Sequence, residues 1–178
     1  WNFVVDKNSV PADQVYSVRD GKIFITGQPF GYMYTKEKYS DYKLHVEWRW
    51  PNGGFQREQR HLPAYRRPKE PLPERIECNL QAGRPDCSYC WEAPTLSSTS
   101  TPGEERPFFP VVKNVNPSSE KAAGEWNEAN IFVKDGVITV YINGVYQNTG
   151  TNKVKEANIG LQSEGKEVEF RNVTLTKW

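Results

Sequence analysis

The sequence predicts an all-β fold, either an antiparallel sandwich or a barrel. Aromatic residues make up 13% of its 178 residues and there is one Met, and aromatic side chains suit the pleated surface of a sheet. Asp-Gly or Asn-Gly pairs separate alternating segments at residues 20–21, 135–136 and 143–144. Such pairs supply the positive φ of two-residue hairpin turns. No segment has a convincing 3.6-residue period, so we expect at most one or two helical turns, near residues 118–123.

The most clearly specified strand covers residues 41–50. Its apolar positions alternate with polar ones over the whole segment: Tyr42, Leu44, Val46, Trp48 and Trp50 against Lys43, His45, Glu47 and Arg49. This alternation predicts one face in the core, including both Trp residues, and one face in water. Further strands are predicted at residues 22–26, 75–81, 129–134, 137–142 and 145–147.

The segment 160–173 is interpreted as a strand, a tight polar turn and a second strand, which together make a β-hairpin. In the last strand, Val168 and Phe170 share one parity, whereas Val173 takes the other. One extra residue shifts the alternation of a strand, so this change of face predicts a β-bulge at residues 171–172.

The length and charge restrict the class of protein. The 178 residues suit one domain, residues 1–178. Lys and Arg total 23 against 22 for Asp and Glu, which gives no electrostatic footprint for nucleic acid or an acidic membrane. The sequence has no run of 18 apolar residues, so it predicts no membrane-spanning helix. The chain begins at Trp1, which either a removed export signal or a truncation would explain.

The three cysteines are Cys78, Cys87 and Cys90. Their odd number excludes a complete disulfide framework. Cys87 and Cys90 have the spacing of a zinc half-site or a redox pair, and Cys78 and His61 are the candidates to complete a zinc site. Ordinary thiols are the favoured interpretation, and one disulfide with a leftover thiol is the remaining alternative.

Two long loops are predicted beside the strand at residues 75–81. Residues 51–75 hold many prolines and charges, and residues 93–116 are rich in Ser, Thr, Pro and Gly. On the strand between them, Glu77, Asn79 and Gln81 alternate with Ile76, Cys78 and Leu80. Glu77, Asn79 and Gln81 form either the solvent-exposed face of a half-exposed strand or the floor of a cleft between the loops.

An ordered set of motifs resembles the 3-keto-disaccharide hydrolase family and extends over nearly the whole chain. The motifs are Ser40–Trp48, Asn52-Gly53-Gly54, Ile76-Glu77-Cys78-Asn79-Leu80, Gly124-Glu125-Trp126-Asn127, Ile142-Asn143-Gly144, Ile159–Gly165 and Phe170-Arg171-Asn172-Val173. Gly53 stands where the family usually has Ser, and Asn79 where it has Gln. The resemblance implies a two-sheet jelly-roll sandwich with long loops and a concave face, similar to concanavalin A and related glucanases. It also implies an exported glycosidase of a Bacteroides-like bacterium, in the periplasm or at the cell surface, that cleaves 3-keto-glycosides.

The implied chemistry needs a base, an enolate-stabilising group and an acid. A ketone at carbon 3 makes the hydrogen on carbon 2 acidic, so a base can start an elimination at carbon 1. Glu77 is the candidate base or metal-binding carboxylate, and His61 is the candidate acid, base or ligand; His45 is an alternative. A divalent metal ion is a possible cofactor. Direct hydrolysis by two carboxylates is disfavoured, because Glu74 and Glu77 would lie on opposite strand faces.

Six residues are predicted to bind substrate. Arg49, Gln81, Gln162 and Glu164 are candidate partners for sugar hydroxyls, and Tyr89 and Trp91 are candidates for stacking on a sugar ring. Arg171, in contrast, is expected to pair with Glu167, Glu169 or a carboxylate on a neighbouring strand. The predicted function is therefore cleavage of 3-keto-glycosides or 3-keto-disaccharides, with a carbohydrate as partner and no nucleic acid. The alternative is a non-catalytic carbohydrate-binding module of the same fold.

Overall fold

The structure is a computed structural model of the chain, which describes residues 1–51, 59–65, 75–81, 114–151 and 155–178. Within these residues there are twelve strands and two 3-10 turns. The strands are β1 (Asn2–Val5), β2 (Tyr16–Arg19), β3 (Lys22–Ile25), β4 (Gly31–Tyr34), β5 (Tyr42–Arg49), β6 (Gln59–Tyr65), β7 (Arg75–Gln81), β8 (Asn127–Lys134), β9 (Val137–Ile142), β10 (Val145–Thr151), β11 (Asn158–Ser163) and β12 (Val168–Lys177). None of the helical segments in this part of the chain is long and apolar enough to cross a bilayer.

The strands form two antiparallel sheets that enclose one core. The five-stranded sheet has the order β1-β4-β11-β6-β7, and the seven-stranded sheet has the order β10-β9-β8-β5-β12-β3-β2. Side chains from both sheets meet in a single cluster, which includes Met33, Leu161 and Leu80 from the first and Trp48, Val140 and Phe170 from the second. The predicted all-β sandwich of two antiparallel sheets is confirmed.

Strand β5 has the predicted alternation at every position. Its residues alternate between buried and partly exposed along the whole strand, and Trp48 and Val46 have no accessible surface. Strands β8 and β12 pair with it on its two sides. A slip of one residue would expose both core Trp side chains, so this strand fixes the register of the seven-stranded sheet.

The three predicted hairpin turns are present. Asp20, Asp135 and Asn143 have φ near +50°, and each is followed by a Gly with positive φ. Two consecutive positive-φ residues form the turn whose twist matches the flanking strands. The turns join β2 to β3, β8 to β9 and β9 to β10.

The helical turns lie elsewhere than predicted. They cover Asp6–Asn8 and Ala12–Gln14, and the expected turn at residues 118–123 is absent. There the segment is held by hydrogen bonds that involve side chains: the Ser119 hydroxyl donates to the Ile142 carbonyl at 2.6 Å, and the Lys121 amide donates to the Asn127 side chain at 2.7 Å. These bonds replace a helical hydrogen-bond pattern.

The hairpin predicted at residues 160–173 is wrong, because its two strands belong to different sheets. β11 lies between β4 and β6 in the five-stranded sheet, whereas β12 lies between β3 and β5 in the seven-stranded sheet. Both edges of each strand are therefore occupied by other partners. The turn between them is a crossing from one layer of the sandwich to the other.

The loop predicted at residues 51–75 contains a strand, β6, which is a second correction. Its proline content suggested a loop, yet Pro63 lies opposite Glu77 in the pairing of β6 with β7. The described pairing of β6 with β11 covers Tyr65 and Ala64 and ends just before Pro63. A proline has no backbone N–H to donate, so it is tolerated where the ladder on that side ends.

Candidate functional site

The outer face of the five-stranded sheet carries the candidate site. Met33, Leu161, Cys78 and Leu80 point into the core from this sheet. Tyr32 and Tyr34 belong to a separate cluster on the other side, which we call the outer face. Successive side chains of a strand alternate between the two faces, so Gln162 of β11 shares this outer face.

The strand register brings the predicted catalytic positions to the same face. Gln162 lies opposite Tyr32 in the pairing of β11 with β4. His61 lies opposite Asn79, and Glu77 lies opposite Pro63, in the pairing of β6 with β7. Residues opposite each other in an antiparallel pair share a face. On β7, Glu77 and Asn79 alternate with Cys78 and Leu80, which are buried in the core. The backbone positions of Glu77, His61 and Gln81 therefore belong to the outer face that carries Gln162.

Gln162 is the best-defined side chain of the site. It is 2% exposed, and its Nε2 donates to the Glu164 carboxylate at 2.6 Å. Its amide oxygen Oε1 has no hydrogen-bond partner among the described residues. A buried acceptor without a partner costs about 1–3 kcal/mol, so this oxygen is suited to accept a hydrogen bond from a bound hydroxyl. Two of the predicted substrate-binding residues, Gln162 and Glu164, thus act as one hydrogen-bonded pair.

Two tyrosines that the sequence analysis did not select lie beside Gln162. The ring centroids of Tyr32 and Tyr34 are 5.8 Å apart, with the ring planes tilted by 46°. Aromatic rings next to a few placed polar groups are the usual lining of a small-molecule site. The signal that could have found them is the alternation Tyr-Met-Tyr at residues 32–34, which puts both phenols on one face.

Arg49 lies on the opposite side of the sandwich. It belongs to β5 of the seven-stranded sheet, and its Nε donates to the Glu169 carboxylate at 2.5 Å. Its guanidinium carbon is 4.9 Å from the centroid of the Trp126 ring. The structure does not bring Arg49 together with Gln162. His45, the alternative to His61, lies on the same side as Arg49, and its Nδ1 is 3.1 Å from the Asn130 side-chain oxygen.

The remaining predicted residues are only partly described. Tyr89 and Trp91 lie outside the described residues, as do Cys87 and Cys90. The side chains of Glu77, His61 and Gln81 are also outside them, so their roles stay predictions. Within the described part of the chain, no three His, Cys, Asp or Glu side chains cluster in a way that could hold a metal ion.

Glu120 is a titratable group that the sequence analysis missed. Its Oε1 accepts hydrogen bonds from the indole N–H groups of Trp50 at 2.8 Å and Trp48 at 3.4 Å. Burial raises the pKa of Glu120 to about 7, against the effect of these two hydrogen bonds. No sequence signal links Glu120 to the two Trp residues, because the contacts join positions 70 and 72 residues apart.

The two antiparallel sheets define the chain as a jelly-roll β-sandwich protein. The sequence profile of the 3-keto-alpha-glucoside-1,2-lyase-like domain matches residues 1–176, so the chain belongs to this family. The resemblance inferred from the motifs is thereby confirmed. None of the curated protein sequences matches the chain significantly.

Solved structures of similar fold include enzymes and a binding module. A candidate glycosyl hydrolase from Parabacteroides distasonis superposes with a TM-score of 0.67 at 15% identity, over 99% of this chain and 100% of that one. The carbohydrate-binding module CBM66 from Bacillus subtilis has a TM-score of 0.67 at 13% identity, over 92% and 91%. An endo-β-galactosidase from Clostridium perfringens that releases GlcNAcα1-4Gal has a TM-score of 0.57 at 10% identity, over 87% and 52%. At these identities the likeness defines the fold.

Proposed function

We propose that the chain cleaves glycosides whose sugar carries a ketone at carbon 3, on the outer face of the five-stranded sheet. The observation that carries this proposal is the strand register, which gives Glu77, His61 and Gln162 the same sheet face. Membership of the 3-keto-alpha-glucoside-1,2-lyase-like family supports the substrate class. The buried amide oxygen of Gln162 supports the recognition of a hydroxylated ligand.

The proposed reaction is an elimination followed by hydration. A base, assigned to Glu77, removes the proton from carbon 2, and the electron pair is delocalised into the carbon 3 ketone as an enolate. When the ketone re-forms, this pair makes the C1=C2 double bond and the C1–O bond breaks. An acid, assigned to His61, protonates the leaving oxygen. Water then adds across the double bond, with OH on carbon 1 and H on carbon 2, and yields the free 3-keto sugar.

The described side chains have binding roles in this proposal. Tyr32 and Tyr34 are 1% and 4% exposed, so their role is to form the apolar wall that fixes the position of Gln162. The Oε1 of Gln162 accepts a hydrogen bond from a ring hydroxyl, while Glu164 fixes the orientation of the amide through its bond to Nε2.

The test uses an aryl 3-keto-glucoside and its unoxidised parent glucoside, incubated in D₂O. The elimination route predicts cleavage of the keto substrate alone and deuterium at carbon 2 of the product. The free product incubated without protein corrects for spontaneous exchange. Glu77→Gln is expected to lower the rate by about 100-fold or more, whereas Glu125→Gln, which removes an exposed carboxylate, leaves it unchanged. A parallel assay with a chelator tests whether the reaction needs a divalent metal ion.

A non-catalytic binding module is the second candidate function. The similarity to CBM66 over 92% of the chain favours it. This alternative predicts that the wild type and Glu77→Gln bind the keto-glucoside equally and that neither releases the aryl group. That result would overturn the enzyme proposal. Export to the periplasm or the cell surface stays a prediction, which fractionation of the native host would test.

A further inference from the structure

A second surface with binding features lies on the outer face of the seven-stranded sheet. It is a groove of about 520 Å³ lined by Lys43, Asn130, Phe132, Thr139, Tyr141 and Gly144. These residues come from β5, β8, β9 and the turn after β9. The groove is thus separated from the candidate active site by the whole thickness of the sandwich.

An aromatic strip crosses three adjacent strands at this groove. The ring centroids of Phe132 and Tyr141 are 5.8 Å apart, and those of Tyr141 and Tyr146 are 5.7 Å apart. Three adjacent strands span about 10 Å. All three rings are half-buried, so they are fixed in place and still present aromatic surface. Such a strip suits the apolar faces of successive sugar rings.

Two hydrogen-bond donors, the side chains of Lys43 and Asn130, lie beside the strip. The Oδ1 of Asn130 accepts from the Nδ1 of His45 at 3.1 Å, so the Nδ2 of the same amide is the donor that this side chain has left. Lys43 lies with its Nζ 5.4 Å from the Phe132 centroid, and no carboxylate pairs with it within the described residues. Lys43 lies opposite Phe132, and Asn130 is two residues before Phe132 on β8, so the two donors are diagonal neighbours on the sheet.

A hydroxyl pair completes one side of the groove. The Thr139 and Thr149 hydroxyls are 3.1 Å apart, and the Tyr146 hydroxyl donates to that of Thr149 at 3.1 Å. These contacts orient the Thr139 hydroxyl at the groove. A cation and an amide donor beside aromatic rings match a sugar that carries a carboxylate, because the carboxylate accepts from both donors.

We propose that this groove binds an acidic glycan through its uronic acid units. The carboxylate of one unit is held by Lys43 and Asn130, and the apolar ring faces lie on Phe132 and Tyr141. Thr139 contacts a ring hydroxyl. The surface would hold the chain on a polymeric acidic glycan and leave the opposite face free for a separate substrate.

The experiment measures the affinity of the full chain for tetramers of galacturonate, glucuronate and mannuronate, and for neutral tetramers of glucose and galactose, by calorimetry. We expect at least one acidic tetramer to bind and the neutral ones to bind at least tenfold more weakly. Lys43→Met and Tyr141→Ala are each expected to weaken binding by about tenfold, or 1.4 kcal/mol. Lys134→Met, an exposed cation on the same sheet, is the matched control and is expected to bind as the wild type does.

The outcomes separate this proposal from the enzyme proposal. Glu77→Gln is expected to bind the acidic tetramer normally, because it changes the opposite face of the sandwich. Circular dichroism checks that each variant is folded. If Lys43→Met is not folded, Lys43→Gln is used in its place. The proposal is overturned if no acidic tetramer binds, if neutral tetramers bind equally well, or if Lys134→Met loses as much affinity as Lys43→Met.

Discussion

Glu47 on β5 accepts a hydrogen bond from the Nε of Arg171 at 2.6 Å, at the point where β12 changes its register. The second carboxylate oxygen accepts from the Asn172 amide, also at 2.6 Å. Burial by itself would raise the pKa of Glu47, but the hydrogen bonds from Asn172 and Arg171 outweigh burial and lower the pKa below its usual value. The guanidinium carbon of Arg171 also lies 3.9 Å from the Trp126 ring centroid. One carboxylate therefore stabilises the bulge in β12 from the neighbouring strand.

The Glu47 contacts predict a pH-dependent contribution to stability. A carboxyl group whose pKa is lower in the folded state stabilises the fold above its unfolded pKa, and this contribution is lost as the pH falls through the folded pKa. Glu47→Gln is expected to reduce the free energy of unfolding by about 1–3 kcal/mol at pH 7. The difference from the wild type should shrink below pH 4. Urea unfolding of both proteins across this pH range measures it.

The matched control is Glu37→Gln. The Glu37 carboxylate also pairs with a cation, Lys177 at 3.7 Å, but both side chains are mostly exposed. Exposed ion pairs contribute little, about 0–1 kcal/mol. An equal loss of stability for Glu37→Gln and Glu47→Gln would show that the contacts of Glu47 have no special role.

The backbone of Asn172 gives a second prediction. Its φ is +49°, a region that Asn and Gly adopt more readily than other residues. Asn172→Gly keeps this conformation and loses only the hydrogen bond to Glu47, whereas Asn172→Ala loses the bond and adds backbone strain. We expect Asn172→Ala to be less stable than Asn172→Gly, by about 1 kcal/mol. Thermal unfolding of the two variants measures the difference, and the reverse order would contradict the assignment of the bulge.

The sequence predicted this bulge because the evidence for it is local. Val168 and Phe170 have one parity and Val173 the other, and an extra residue is the simple way to join them. The alternation of β5 and the Asp-Gly and Asn-Gly turns are local in the same sense. Each of these features is specified by residues within a few positions of each other.

The assignment of strands to sheets could not be predicted in this way. The sequence predicts strands around residue 162 and around residue 168. Alternation of apolar and polar residues does not predict which strands will pair with them. Gln162 meets Tyr32 only because β4 and β11 are adjacent in the five-stranded sheet. The candidate site therefore depends on pairing over more than a hundred residues, for which a single sequence carries no local signal.

Gly31 gives a third prediction, on the packing of the edge strand β1 against β4. A Cβ at this position would lie 2.4 Å from the Val4 carbonyl oxygen and 3.0 Å from the Tyr16 hydroxyl. The Val4 oxygen is a backbone atom and cannot move without displacing β1. Gly31→Ala is expected to lower the free energy of unfolding by about 1–3 kcal/mol and to speed amide hydrogen exchange in β1. Denaturant unfolding and hydrogen exchange measure the two effects.

Gly21→Asn serves as the control for Gly31→Ala. Gly21 has φ of +72°, and a Cβ there would meet no atom within 4 Å. Asn tolerates positive φ in turns, so this larger substitution should cost less than Gly31→Ala. If Gly31→Ala proves as stable as the wild type, the close approach of β1 and β4 is wrong.

Glu120 gives the last prediction, and its sign is opposite to that of Glu47. Burial raises the pKa of Glu120 from 4.5 to about 7. Between pH 4.5 and pH 7, Glu120 is therefore protonated in the folded state and ionised in the unfolded state. The contribution of the protonated group is complete below pH 4.5 and is lost as the pH rises through 7. Glu120→Gln stays neutral and keeps an acceptor oxygen for the indoles of Trp48 and Trp50. The variant is therefore expected to be more stable than the wild type at pH 8, on the order of 2 kcal/mol, and equally stable at pH 4.

The measurement is the free energy of unfolding of wild type and Glu120→Gln at steps between pH 4 and 8. Differences between the two proteins cancel the titration of other groups, including Glu47. Glu125→Gln removes a nearby exposed carboxylate and controls for the change in net charge. A difference that is constant with pH, or that appears equally in Glu125→Gln, would mean that Glu120 has the same pKa in the folded and unfolded states and is ionised in the folded protein at neutral pH. The contact with the two Trp residues would then be that of a carboxylate, held by two indole donors at the margin of the core.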